Sequence, residues 1–96
     1  KREKKGVIIM VTEKFTVKNE QGLHMRPAGV LSKAAAKYPC EVKLNVGDKQ
    51  INAKSIMMII GGCIKCGMEV EVVCNGEQET ECLAELKELF LSGFGE

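Results

Sequence analysis

The 96-residue chain contains no tryptophan, three phenylalanines and one tyrosine. So sparse an aromatic set cannot build the interleaved basic and aromatic surface on which single-stranded nucleic acid stacks, and direct nucleic-acid binding is not expected. No apolar run approaches the ~20 residues of a membrane helix, so membrane insertion is not expected. There is one histidine. With that His far from the single Cys63-Ile64-Lys65-Cys66 pair, the about four ligands of a structural zinc site are not assembled, and no metal is expected. A GxxxxGK[ST] loop and a carboxylate cluster are both missing, so the chain has no means of activating ATP by itself and no cofactor is expected. Five cysteines, an odd number, argue against a disulfide framework. Cys40, Cys63, Cys66, Cys74 and Cys82 are expected to act as small, semi-buried hydrophobes.

What is present is enough for one modest core: 45% hydrophobic and 28% charged residues, ordinary values for a globular domain. The net charge of +1 conceals an asymmetry. Lys1, Arg2, Lys4 and Lys5 against Glu3 put +3 on the first five residues, leaving −2 on the rest. From Met68 onward, eight acids face one base, Lys87. Arg26, Lys33, Lys37, Lys54 and Lys65 lie mid-chain, a mildly basic set suited to meeting an acidic protein. The apolar patch Val7 to Val11 is shorter than the ~7–15 residues of a signal-peptide core and has no cleavage site after it. A cytoplasmic location is therefore expected.

Periodicity orders the rest. Phe15 and Val17, alternating with Thr16 and Lys18, predict a half-buried strand that Asn19 to Gly22 break. Ala28, Leu31, Ala35 and Tyr38 recur at helical spacing from Met25 to about Lys37, and Tyr38-Pro39 ends that helix. Val42, Leu44 and Val46 alternate ahead of a Gly47-Asp48 turn, with Lys49 to Asn52 as the return strand. Ser55 caps a short helix from Ile56 to about Ile60. Val70 and Val72 mark another strand. Cys82, Leu83, Leu86, Leu89 and Phe90 form the apolar stripe of a last helix that stops at Ser92-Gly93. The order β-α-β-β-α-β-α predicts an α+β open-faced sandwich, a mainly antiparallel four-stranded sheet covered on one face by three helices.

The lone histidine occurs in Gly22-Leu23-His24-Met25-Arg26-Pro27-Ala28. His24 falls at a helix N-cap and Pro27 in the first turn, where its missing N–H costs nothing. The unpaired N–H groups and the positive end of the helix dipole suit an anion. The Arg26 guanidinium matches two phosphate oxygens. An exposed imidazole so placed suits a group that accepts a phosphoryl and gives it up again, since His is a known nucleophile.

The stretch Gly22 to Ala28 resembles the active-site signature of HPr, the histidine-containing phosphocarrier family of the bacterial sugar phosphotransferase system. Lys54-Ser55-Ile56-Met57, thirty-one residues after the His, resembles the regulatory serine segment of Gram-positive HPr. The resemblance runs from about Met10 to Glu96 without a gap, and the element order is similar to the family's. It implies that His24 takes phosphate on Nδ1 from phospho-enzyme I and passes it to the enzyme IIA component of a sugar permease, with Arg26 steadying the charge. On this reading the chain is a carrier and not a self-sufficient enzyme. Ser55 would be phosphorylated by HPr kinase/phosphorylase, linking the protein to the catabolite control protein. Ile56, Met57 and Ile60 would form the apolar contact on which partners dock. Met10 is the family's natural start, so residues 1–9 are expected to be an extension, disordered or foreign to the native protein, ahead of a domain spanning 10–96.

Phosphorylation of Ser55 would add about −1.5 to −2 charge at a helix start, tolerable to the helix and adverse to an acidic partner. The apolar run Ile56 to Ile60 cannot all face the core from so short a helix, and its exposed part is a candidate docking patch. The chain departs from the family pattern in three places: Met25 stands where alanine is common, Met58 replaces a small or polar residue, and the segment Gly61-Gly62-Cys63 with Cys66 is unusual. Two other readings compete: a regulatory paralogue acting through Ser55, a type that lacks the active-site His, and a metal or redox role for Cys63 and Cys66.

Overall fold

The computed structural model describes residues 10–95, so the extension expected at residues 1–9 lies outside the described residues. The chain runs β1 (Met10–Thr16), α1 (Met25–Ala36), β2 (Glu41–Val46), β3 (Lys49–Asn52), α2 (Ile56–Gly61), β4 (Glu69–Asn75) and α3 (Glu79–Ser92), then a 3-10 turn at Gly93–Gly95. The four strands form one sheet in the order β1-β4-β2-β3. Every pairing is antiparallel, with Phe15 opposite Val70, Leu44 opposite Val72 and Leu44 also opposite Ile51.

Alternation decides which face is covered. Phe15, Val42, Leu44, Val46, Ile51, Val70, Val72 and Cys74 are all buried, and their strand neighbours are exposed or half-buried. β1 begins earlier than the Phe15–Val17 alternation suggests, because Glu13 shares the inward face at the sheet's edge. Its carboxylate escapes the core by reaching Lys87 Nζ of α3 at 3.6 Å, as a long side chain can at an edge. Val17 lies just past β1 yet stays buried, exchanging backbone hydrogen bonds with Met68 (3.0 Å) and Gly67 (2.9 Å).

α1 buries Pro27, Ala28, Leu31, Ser32, Ala34 and Ala35. Tyr38, expected on the same stripe, is half-buried and donates its hydroxyl to Glu85 Oε1 at 2.6 Å. That bond, before burial, pushes the phenol up to about 12. α3 packs on β1 and β4 and touches α1, which in turn touches α2. Phe90 joins α3 to the sheet by stacking on Phe15 at 5.0 Å, and Phe94 closes the end edge-on to Phe90 at 4.8 Å. α3 begins three residues before Cys82. The Glu79 carboxylate accepts the Gly76 N–H at 2.9 Å, a partner for a charge buried at the helix start, and the Glu79 N–H returns to Gly76 O at 3.2 Å. Gly93 stops the helix in the left-handed region, its N–H returning to Leu89 and Phe90 carbonyls.

Candidate functional site

The loop before α1 is clamped from two sides. Gly22 N–H closes a turn on Asn19 O at 2.8 Å, and Leu23 N–H reaches across to Ile64 O at 2.9 Å. Gly22 sits at φ +69, and a Cβ there would lie 2.2 Å from Ile64 O and 2.8 Å from Lys65 Cα. Only glycine fits between the two backbones. Leu23 is buried beside it. The loop therefore arrives at α1 in one orientation.

His24 is the N-cap, in extended conformation at φ −80 and ψ −164. Its backbone carbonyl accepts the Ala28 N–H at 2.9 Å, while its side chain makes no capping hydrogen bond. A half-buried imidazole thus stands at the helix mouth without being consumed by the cap. In the first turn, Met25 and Arg26 carry N–H groups that an α-helix leaves without an intrahelical carbonyl, and Pro27 carries none. Pro27 is buried and Arg26 exposed, so the proline anchors the turn and leaves the guanidinium outside.

The imidazole and Arg26 border an open cleft of about 610 Å³ with Lys18, Asn19 and the end of α3 on its far side. Lys18 Nζ donates to Leu91 O at 3.2 Å, and buried Asn19 donates through Nδ2 to Gly93 O at 2.8 Å. These two bonds tie the His loop to the end of the last helix. The sequence reading gave Lys18 and Asn19 no role beyond ending a strand. No local signal identifies a residue that works across more than seventy positions of chain. A cleft lined by two cationic side chains, Lys18 and Arg26, opposed by Glu20, can receive a phosphoryl group and hold its charge without a metal. Among the described residues no group of three or more His, Cys, Asp or Glu is placed to hold a metal ion, and no helix is long and apolar enough to cross a membrane.

The second motif lies at α2. Ser55 is its N-cap, and its Oγ accepts the Met58 N–H at 3.2 Å. Next to it, Lys54 donates to Tyr38 O at 2.8 Å, pinning the segment to the end of α1. Of the apolar run, only Ile59 is buried. Ile56 and Met57 are 38% and 78% exposed, whereas Ile60 is half-buried against the core. Met58 and Met25, both departures from the family pattern, are 46% and 68% exposed. A methionine at the first position of α1 meets no steric objection because it points away from the core.

The cysteines divide. Cys40, Cys74 and Cys82 are buried. A hydrogen bond to Cys74, then burial, pushes the Cys82 thiol up, and burial first pushes Cys40 up to about 11. Cys63 and Cys66 are exposed, contrary to the expectation that all five are semi-buried hydrophobes, because both fall in the loop between α2 and β4 outside the sheet.

The chain is similar in sequence and fold to known proteins. The chain is 40% identical over 80 residues to the phosphocarrier protein HPr of Chlamydia pneumoniae, covering 83% of this chain and 74% of that one. It is 36% identical over 77 residues to the HPr-like protein Crh of Bacillus subtilis, covering 80% and 91% respectively. Among solved structures, HPr-C-His from Thermoanaerobacter tengcongensis superposes with a TM-score of 0.86 at 34% identity, covering 90% of this chain and 97% of that one. The family model described as the PTS HPr component phosphorylation site matches residues 11–92, the stretch that carries both His24 and Ser55. The chain belongs to the HPr family of phosphocarrier proteins of the phosphotransferase system, carriers rather than catalysts.

Proposed function

We propose that His24 is the phosphoryl-accepting residue and that the protein shuttles phosphate in the cytoplasm from phospho-enzyme I to enzyme IIA domains of sugar permeases. The observation that carries this reading is an imidazole at the mouth of α1, beside an exposed guanidinium, whose side chain is not spent on capping. In the transfer, Nδ1 attacks phosphorus as the donor's bond to phosphorus breaks, and the reverse exchange delivers the group to the acceptor. The Met25 and Arg26 amides and the Arg26 guanidinium stabilise the phosphoryl oxygens. Ile56, Met57 and Ile60 supply the apolar contact for both partners. Ser55 serves as the regulatory site, modified by HPr kinase/phosphorylase and then read by the catabolite control protein.

Incubation with enzyme I and labelled phosphoenolpyruvate tests this. Label that is lost in acid, and that disappears in His24→Ala, is expected; undiminished label on His24→Ala refutes it. A regulatory role through Ser55 alone is favoured by one observation, the likeness to Crh. The presence of His24 ranks it second, and a protein that takes phosphate from its kinase but never from enzyme I would reverse that order.

A further inference from the structure

Cys63 and Cys66 are exposed thiols three residues apart, outside the core, and Cys66 Sγ donates to Lys18 O at 3.7 Å beside the His24 cleft. The backbone between them is the strip that clamps the His loop: Ile64 O receives the Leu23 N–H, and Gly22 lies against Ile64 and Lys65. Each cysteine falls within a separate hydrogen-bonded turn. Cys63 N–H bonds Ile60 O at 3.1 Å, and Met68 N–H bonds Lys65 O at 3.1 Å. Cys63 also holds φ +53, a conformation glycine adopts freely and a Cβ disfavours. A disulfide needs Cα atoms within about 7 Å, which for residues three apart means a turn across 63–66. The backbone hydrogen bonds close turns at 60–63 and 65–68, and none closes one across 63–66.

We propose that Cys63 and Cys66 form a redox-sensitive pair whose oxidation to a disulfide rebuilds the Ile64–Lys65 strip, releases Gly22 and Leu23, and so lowers the competence of His24 to accept phosphate. The oxidant is a low-molecular-weight disulfide such as oxidised glutathione. One thiolate attacks it to form a mixed disulfide and expel one glutathione; the other thiolate attacks the protein sulfur and expels the second. Two protein thiols are oxidised, one glutathione disulfide is reduced to two thiols, and the displaced thiolates take up the two protons. Cys40, Cys74 and Cys82 are spared, since burial denies an oxidant access to them.

The inference rests on the carrier reading for its activity readout, so a second readout is independent of enzyme I. The intact protein is equilibrated with oxidised glutathione, peptides are mapped for an internal Cys63–Cys66 bridge, and amide exchange at Leu23 is compared before and after. The expected result is the bridge, faster exchange at Leu23, and phosphoryl acceptance slowed on the order of 10- to 100-fold, as for a displaced reactive group. Dithiothreitol should restore all three, and Cys63→Ser with Cys66→Ser should abolish the response. Glutathione left on a single thiol with no bridge overturns the proposal. So does a bridge that leaves Leu23 exchange unchanged, or one that leaves acceptance by an active protein unchanged. If the reduced protein takes no phosphate, the carrier reading fails and Leu23 exchange alone decides the switch.

Discussion

Replacing Gly22 by alanine adds one methyl group where two backbones meet. The new Cβ would stand 2.2 Å from Ile64 O and 2.8 Å from Lys65 Cα, neither of which can swing aside as a flexible side chain would. The backbone at φ +69 adds about 1–2 kcal/mol for any L residue. Relief of the clash by separation sacrifices the Leu23 to Ile64 hydrogen bond, a further ~0.5–1.5 kcal/mol. Together these amount to about 1.5–3.5 kcal/mol, a large fraction of the ~5–15 kcal/mol that holds such a domain together. For a domain of this size the melting temperature should fall on the order of 10–30 °C. The internal control is Gly29→Ala in α1, where no atom lies within 4 Å of the added Cβ and φ is helical. Its better helix propensity should stabilise by roughly 0.5–1 kcal/mol. Urea denaturation followed by circular dichroism measures both. A Gly22→Ala protein as stable as wild type would refute the claim that Ile64 and Gly22 share a space only glycine leaves.

Ser55→Ala should cost about 1 kcal/mol by removing the cap on Met58 N–H, while Ser55→Asp should retain most of it; equal losses for both in denaturation would contradict the capping role. Because Tyr38 is the only tyrosine, ultraviolet titration reads it alone. Its midpoint should rise to about 12 and return toward 10 in Glu85→Gln. With the folded value raised, the stabilisation from this bond is present below pH 10 and disappears as pH rises toward 12. Met57→Ala, at an exposed position, should change stability by less than about 0.5 kcal/mol. If the exposed run docks partners, the same change should weaken phosphoryl exchange about fivefold or more, as loss of a contact worth over 1 kcal/mol does. Leu31→Ala, fully buried at the centre of α1, should cost about 2–5 kcal/mol, and a loss below 1 kcal/mol by denaturation would contradict its place in the core.

Much of this molecule is written locally. The stripe from Cys82 to Phe90, the alternation of Val42, Leu44 and Val46, the Gly47-Asp48 turn and the stop at Tyr38-Pro39 each depend on neighbours within a few residues. Those elements could be read directly. The position of His24 ahead of α1 belongs to the same class, because a glycine turn followed by a first-turn proline is a short-range signal. Ser55 as a cap was legible for the same reason.

Contacts distant in sequence had no such signal. Glu13 looks like a solvent residue until β1 is placed at the sheet's edge beside Lys87. Asn19 looks like a turn residue until its amide is found on Gly93. The cysteines look alike until the sheet buries three and leaves two in a loop. Nothing in Gly22 itself names Ile64 as the backbone it must admit. Periodicity fixes which side chains share a face, since that follows from 3.6 or 2 residues per repeat within one element. The strand order β1-β4-β2-β3 and the meeting of the His loop with the Cys63–Cys66 strip are settled only when distant segments pack, because no single segment carries the free energy of that contact.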